Sequence, residues 1–282
     1  MSFKIDQMTI DEYANGRVTA GDRVAKVGSV YWTRTKGLFY RPLLSYEAYS
    51  LSANDLPRVF IGGFQCVVSD PKVANSAIKF VMLNDVEHYD LAGVGTHRRN
   101  SIKRAAKLFA VRPVDDEIQF KEQGFQAYCS FYARTRYEYK RGRTQKDFFY
   151  KWAESLLKSS KTLVLGGYDN TGDLKAVSIS CWVGHTLTYL TFFAETTALK
   201  NGVHEIMLHR LREVVSQTNG IREVFLRRYQ GGNGMDEYYV GRGAKVVVKP
   251  AKLHIDPVST WALKSCFPAK YATLFQQSDS LS

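Results

Sequence analysis

A chain of 282 residues, 45% hydrophobic and 23% charged, is long enough for one large domain or two modest ones; its composition excludes wholesale disorder, collagen, coiled coil and a disulfide scaffold. The formal net charge of +12 favours polyanionic partners: nucleic acid, phosphorylated cofactors or an anionic membrane face. No apolar run approaches the roughly 20 residues of a membrane span, residues 1–6 carry no apolar leader core, and Cys66, Cys129, Cys181 and Cys266 form no C-x-x-C pair. The expectation is a cytoplasmic protein with reduced, chemically bland thiols.

Residues 1–28 are mixed and Gly-punctuated, and their pattern assigns no element. Residues 29–34, 58–69 and 77–83 are rich in Val, Ile, Phe and Tyr between Gly, Pro and Asp, and read as strands of a small β-rich region, 1–96. Helical spacing follows in three stripes: Ile102, Ala105, Ala106 and Phe109; Phe125, Tyr128, Cys129 and Tyr132; Phe149, Trp152, Ala153 and Leu156. The period then changes. Residues 161–168, 174–183 and 187–193 read as successive strands, with turns at Asp169-Asn170-Thr171-Gly172-Asp173 and Gly184-His185. A helix is predicted over 203–216, a buried strand over 222–226, a short helix after Gly231-Gly232-Asn233-Gly234, and a last strand over 244–248 ending near Pro250. The tail, 257–282, holds short helical pieces and frays from Gln276.

Charge is concentrated in two places. Arg98, Arg99, Lys103, Arg104, Lys107 and Arg112 occupy a stretch with no acidic residue, and Arg134, Arg136, Lys140, Arg141, Arg143 and Lys146 are opposed only by Glu138. Separated by one expected helix, the two clusters can form one surface, with Tyr132, Tyr137 and Tyr139 nearby to stack bases. A solvated basic face is the plainer reading of the same residues.

Three stretches resemble proteins of the FemABX-type branch of the GNAT-like N-acyltransferase superfamily. His97-Arg98-Arg99-Asn100-Ser101-Ile102-Lys103-Arg104-Ala105 is similar to the RRNIRKA segment that opens the second domain of FemABX-like proteins. Gly166-Gly167-Tyr168-Asp169, a turn, and Lys175-Ala176-Val177-Ser178-Ile179 resemble their GAYDDGKLVA hairpin. Gly234-Met235-Asp236-Glu237-Tyr238-Tyr239, then Gly243-Ala244 and Pro250-Ala251, resemble their GLDRFKRRFGA…PA ending, with Tyr239 where the family has lysine. The resemblance covers about 97–256. It implies an α/β (α+β) fold with a mixed, mostly antiparallel sheet flanked by helices, preceded by 1–96 as a reduced GNAT-like half and followed by the tail.

The resemblance also implies chemistry: an acyl or aminoacyl group moved from acyl-coenzyme A, acyl-carrier protein or aminoacyl-tRNA to an amine by direct attack. No permanently bound cofactor is expected. In such a fold the strands over 187–193 and 222–226 splay to admit the donor. This points to Phe192, Arg227, Arg228 and Tyr229 as substrate contacts, Glu195 as proton acceptor, and Tyr238 and Tyr239 as groups that orient the reacting carbonyl. The segment Lys200-Asn201-Gly202 opens a helix whose free N–H groups suit a phosphate. Arg98, Arg99 and Lys103 suit a phosphorylated substrate: coenzyme A, carrier protein, tRNA or a lipid- or nucleotide-linked acceptor.

Other chemistries lack their signatures. His204 and His209 stand five apart, roughly 140° around a helix, and cannot share a zinc ion; no metal is expected. No G-x-S-x-G elbow, Walker lysine or complete dinucleotide fingerprint occurs. The rival reading is a non-catalytic basic module that binds RNA or another polyanion.

Overall fold

The computed structural model describes residues 5–35, 38–135, 138–232, 234–268 and 271. Arg136, Tyr137, Asn233 and the tail from Gln276 lie outside the described residues. In chain order the elements are α1 (Ile10–Thr19), β1 (Val24–Val27), β2 (Val30–Arg34), β3 (Phe39–Pro42), β4 (Gly63–Val67), β5 (Ser76–Leu83), α2 (Thr96–Ala105), β6 (Phe109–Pro113) and α3 (Glu117–Gln119). There follow α4 (Phe125–Thr135), α5 (Lys146–Leu157), β7 (Thr162–Asp169), β8 (Leu174–Val183), β9 (Thr186–Ala194), α6 (Thr196–Lys200), α7 (Val203–Ser216), β10 (Glu223–Arg228), α8 (Gly234–Val240), β11 (Lys245–Ile255) and α9 (Pro257–Cys266). The chain forms two compact units, Met1–Ile10 with Leu83–Leu226 and Asp11–Met82 with Arg227–Ser282.

In the first unit the strands lie in the order β10-β9-β8-β7-β6, antiparallel except for the β9–β10 pair. The β7–β8 hairpin closes because Asp169 Oδ1 accepts from Thr171 N, Thr171 Oγ1 and Asp173 N, an Asx turn. One face of this sheet carries α7. Gly167 lies beneath that helix, where a Cβ would stand 2.9 Å from Val203 Cγ2, so the glycine permits the close approach. On the other face the rings of Tyr128, Phe149 and Trp152 pack around Phe193, with centroids 5.3, 6.2 and 6.2 Å away. The π turn Phe120–Gly124, which leads into α4, completes this cluster through the Phe120–Phe149 contact.

In the second unit the order is β1-β2-β3-β4-β11-β5, with only β3–β4 parallel. Its core gathers Val30, Trp32, Phe64, Cys66 and Val68. Strand β11 carries the C-terminal segment back between β4 and β5, which is why the compact units are discontinuous and do not follow the segments 1–96, 97–256 and 257–282 drawn from sequence. Among the described residues no helix is long and apolar enough to cross a membrane.

Several expectations are corrected. Residues 58–62 are not strand: β4 begins at Gly63, and Phe60 is 88% exposed. Phe109 leaves the helical stripe and starts β6, where Phe109 and Val111 turn inward and Ala110 and Arg112 outward. Strand β11 does not end near Pro250 but runs through it: Pro250 pairs with Ala77 of β5, its carbonyl accepts from Val68 N just past β4, and the ladder to β4 begins at Ala251, so the missing N–H falls outside that ladder. Residues 1–28 contain α1 and β1.

Asp55 fixes a polar clamp in the second unit. Its carboxylate accepts from Ser52 Oγ and N and from Ser29 N and Oγ, while its carbonyl accepts from the buried Trp32 Nε1. These bonds, Ser52 Oγ foremost, hold the carboxyl well below its usual range. A depressed carboxylate stabilises the fold above its unfolded pKa, about 3.8, and loses that contribution as pH falls toward the folded value. Asp55→Asn is therefore expected to be less stable than wild type at pH 7, with the gap closing below about pH 4. Urea titrations of both proteins across that range check it; a gap constant with pH contradicts it.

Candidate functional site

In the first unit the opening is made by two strands that begin together and then part. The β9–β10 ladder has its rungs at Thr186–Glu223, Leu187–Val224 and Thr188–Phe225, and β9 continues beyond them to Ala194. A bulge accompanies the parting: Tyr189 pairs with Ser180 and Thr191 with Ile179, so Leu190 is the extra residue. Bulges bend a strand away from its neighbour, and here the bend falls just past the last rung.

Along the parted stretch, Phe192 pairs with Ser178 and is half-buried. The hydroxyls of Ser178 and Ser180, alternate residues of β8, are buried with no hydrogen-bond partner among the described residues. Glu195 follows β9 at the N-cap of α6, its carboxylate 3.5 Å from Lys175 Nζ, which also lies 3.4 Å from Asp173 and 3.8 Å from Asp169. Burial pushes the Lys175 ammonium down, but Glu195, Asp173 and Asp169 outweigh it and hold the group above its ordinary value. In the sequence Lys175 stands out only as part of the hairpin motif, and its signal is a lysine near the start of a β-strand beside an acidic turn.

Lys200 and Asn201 are exposed, and Gly202 caps α7 with φ of 84°, a left-handed conformation that glycine adopts without strain. Arg98, Arg99 and Lys103 lie on α2, which packs against α7. Lys103, Arg104 and Lys107 are exposed. Arg99 reaches the Ala92 carbonyl and Thr96 Oγ1. Of the second basic cluster Arg143 alone among the described residues is buried, while Arg134, Arg141 and Lys146 are exposed; Arg136 and the Lys140 side chain lie outside the described residues. Arg143 is 7% exposed with its guanidinium 3.7 Å from the Trp152 ring centre, Arg134 donates to Thr196 Oγ1, and Lys146 pairs with Glu122 at 3.4 Å. Exposed cations therefore remain in both clusters, Lys103, Arg104 and Lys107 in the first and Arg134, Arg141 and Lys146 in the second.

The remaining candidates belong to the second unit. Arg227 Nε lies 3.3 Å from Asp236 Oδ1, and Asp236 Oδ2 accepts from Gln230 N and Gly232 N. Asp236 is 1% exposed, so this pair pins the loop before α8. Arg228 Nη2 donates to Gln65 Oε1 at 2.7 Å. Tyr229 N donates to the Lys79 carbonyl. Tyr239 is buried edge-on to Tyr238, and burial pushes its hydroxyl up to about 12 against the pull of Arg227 and Arg242. It is a neutral donor. Tyr238 carries the Arg242 guanidinium 3.6 Å from its ring centre.

His204 and His209 point to different partners: His204 to Glu205 at 3.3 Å, His209 to Tyr89 Oη at 2.8 Å and Glu213 at 3.3 Å. Among the described residues no group of His, Cys, Asp or Glu is arranged to hold a metal. Cys66 is buried, which pushes its thiol up to about 12 and leaves it inert at neutral pH.

No family model matches the chain, and no curated protein matches its sequence. Solved structures do match its fold. The C-terminal domain (DUF2156) of a putative lysylphosphatidylglycerol synthetase from Agrobacterium fabrum aligns over 93% of this chain and 92% of that one, with 12% identity and a TM-score of 0.57. FemX aligns over 90% and 92%, with 8% identity and a TM-score of 0.58. L-PGS from Bacillus licheniformis aligns over 94% and 91%, with 10% identity and a TM-score of 0.59. At such identities the likeness is one of fold, and the chain has a GNAT-like, FemABX-related fold.

Proposed function

We propose that the protein transfers an acyl or aminoacyl group from an activated donor to an amine by direct attack. The observation that carries this reading is the parting of β9 from β10 beyond the Thr188–Phe225 rung, with the Leu190 bulge beside it, in a fold shared with FemX and lysylphosphatidylglycerol synthetase. An opening between strands holds an extended donor against backbone groups, and positioning supplies much of the rate in attack by a free amine. The amine nitrogen bonds to the donor carbonyl carbon, the thiolate or ribose oxygen leaves, and the ammonium proton passes to a base. We assign that proton to Glu195, the carboxylate that follows β9 at the N-cap of α6. Lys175 beside it keeps the carboxylate oriented. The donor is coenzyme A-, carrier-protein- or tRNA-linked; the exposed Lys103 and Arg104 on α2, with Lys107 just beyond its end, suit the phosphates of any of these. The setting is cytoplasmic, where such donors occur, or the cytoplasmic face of an anionic membrane if the acceptor is a lipid.

The test is a donor screen with amine acceptors, followed by Glu195→Gln on the donor that reacts. Loss of the base is expected to lower kcat about 100-fold with little change in KM. A variant as fast as wild type removes Glu195 from the role.

A further inference from the structure

Two neighbouring arginines of β10 have opposite fates. Arg227 has the carboxylate of Asp236 at 3.3 Å, whereas among the described residues Arg228 has only the amide oxygen of Gln65 as acceptor. The Gln65 side chain cannot turn to offer more, since its Nε2 donates to the Ser76 hydroxyl at 2.9 Å. Gln65 and Ser76 are both 1% exposed, so this brace is rigid and neutral. The Arg228 Nη1 nitrogen is buried and has no hydrogen-bond partner among the described residues.

A second guanidinium stands close by. The parallel register Phe39–Gly63 and Tyr40–Phe64 brings Arg41 of β3 alongside Gln65 of β4. Arg41 Nε is likewise buried and without a hydrogen-bond partner among the described residues, and the guanidinium lies 5.8 Å from the Phe39 ring centre. Among the described residues no carboxylate lies within ion-pair distance of Arg41 or Arg228. Burial, then the charge of Arg41, pushes Arg228 down to about 9. Burial alone lowers Arg41. A guanidinium keeps its proton in a protein, so the cost of burying two like charges is relieved by an anion rather than by discharge.

We propose that Arg41 and Arg228, braced by Gln65, form a binding site for a phosphate monoester in the second unit. Two guanidinium forks present donors to several oxygens at once, and the charge of a phosphate monoester, about −1.5 to −2 at pH 7, matches two cations. A single carboxylate leaves one of them unpaired. The site is independent of the transfer reaction: its ligand can be part of a donor, an acceptor or an effector, and its test needs no turnover.

The measurement is the thermal midpoint of the full chain in inorganic phosphate, against acetate and chloride at equal ionic strength, paired with calorimetric titration of phosphate. Phosphate is expected to raise the midpoint and to bind saturably, with acetate and chloride ineffective. Arg41→Gln and Arg228→Gln are each expected to weaken phosphate binding about tenfold or more, and to match or exceed wild-type stability without phosphate, because each removes an unneutralised buried charge. An arginine that merely packs would lower stability when replaced. Should a glutamine variant fold poorly, Arg228→Lys, which keeps charge but loses the fork, must still weaken binding. Phosphate without effect on wild type, equal effects in Arg228→Gln, or acetate as effective as phosphate would each overturn the assignment.

Discussion

Replacing Asp236 with alanine is expected to destabilise the protein by about 3–5 kcal/mol, enough to consume a large part of a typical domain's stability. Asp236 is 1% exposed and serves three partners, the Arg227 guanidinium and the Gln230 and Gly232 amides. Alanine leaves a mostly buried cation and two backbone donors without their acceptor. Asparagine keeps an oxygen for the amides but not the charge, so Asp236→Asn should fall between alanine and wild type. Removing the cation as well, in Asp236→Asn with Arg227→Met, should recover part of the loss, since an absent pair costs less than a broken one. Urea denaturation of the single and double variants measures the coupling; strictly additive losses would show that the pair contributes nothing as a pair.

Phe149→Ala is expected to cost about 3–5 kcal/mol. Phe149 is fully buried and meets Phe120, Phe125, Tyr128, Trp152 and Phe193, with centroids between 5.4 and 6.2 Å away. Those neighbours come from the π turn, α4, α5 and β9, so no single element can shift to fill the cavity. The same layer supports β9 on the face opposite α7, and Phe193 adjoins Phe192 in the parted stretch. Any transfer activity is therefore expected to fall with Phe149→Ala even where the variant remains folded, and Phe149→Leu, which restores most of the volume, should recover both stability and rate. Unfolding curves and initial rates on the same preparations check this. Activity unchanged in a destabilised alanine variant would separate the aromatic layer from the site.

Much of the first unit was legible in the sequence, and the reasons are local. Helix α7 and strand β8 have the bounds expected, Val203–Ser216 and Leu174–Val183, because each has a strong period and a turn rich in Gly or Asp at its start. The β7–β8 hairpin was readable from its turn residues. Phe109 misled because one residue cannot reveal whether it extends a helical stripe or opens an alternating strand; pairing with β7 decides it. Pro250 argued for a strand end by a rule that holds when both edges are paired, and β11 escapes it by changing partners there.

The site was only partly legible. The parting of β9 from β10 was expected from the resemblance, and the register contains it, while the bulge at Leu190 leaves no mark in composition. Arg227 and Arg228 look alike in sequence. What separates them is Asp236, delivered by the loop before α8, and Gln65, delivered by a strand from the other end of the chain. Such partners are tertiary, and no spacing rule reveals them. Arg41, in a strand the sequence did not announce, was missed for the same reason.

The most direct test of transfer is a quenched-flow assay with carbonyl-labelled donors, acyl-coenzyme A, acyl-carrier protein and aminoacyl-tRNA, each with and without amine acceptors. At least one donor is expected to pass its label to the amine in a reaction that requires both substrates, with no label left on the protein after acid quench. Label retained on the protein before the acceptor is added, or no donor consumed faster than in buffer, would contradict it.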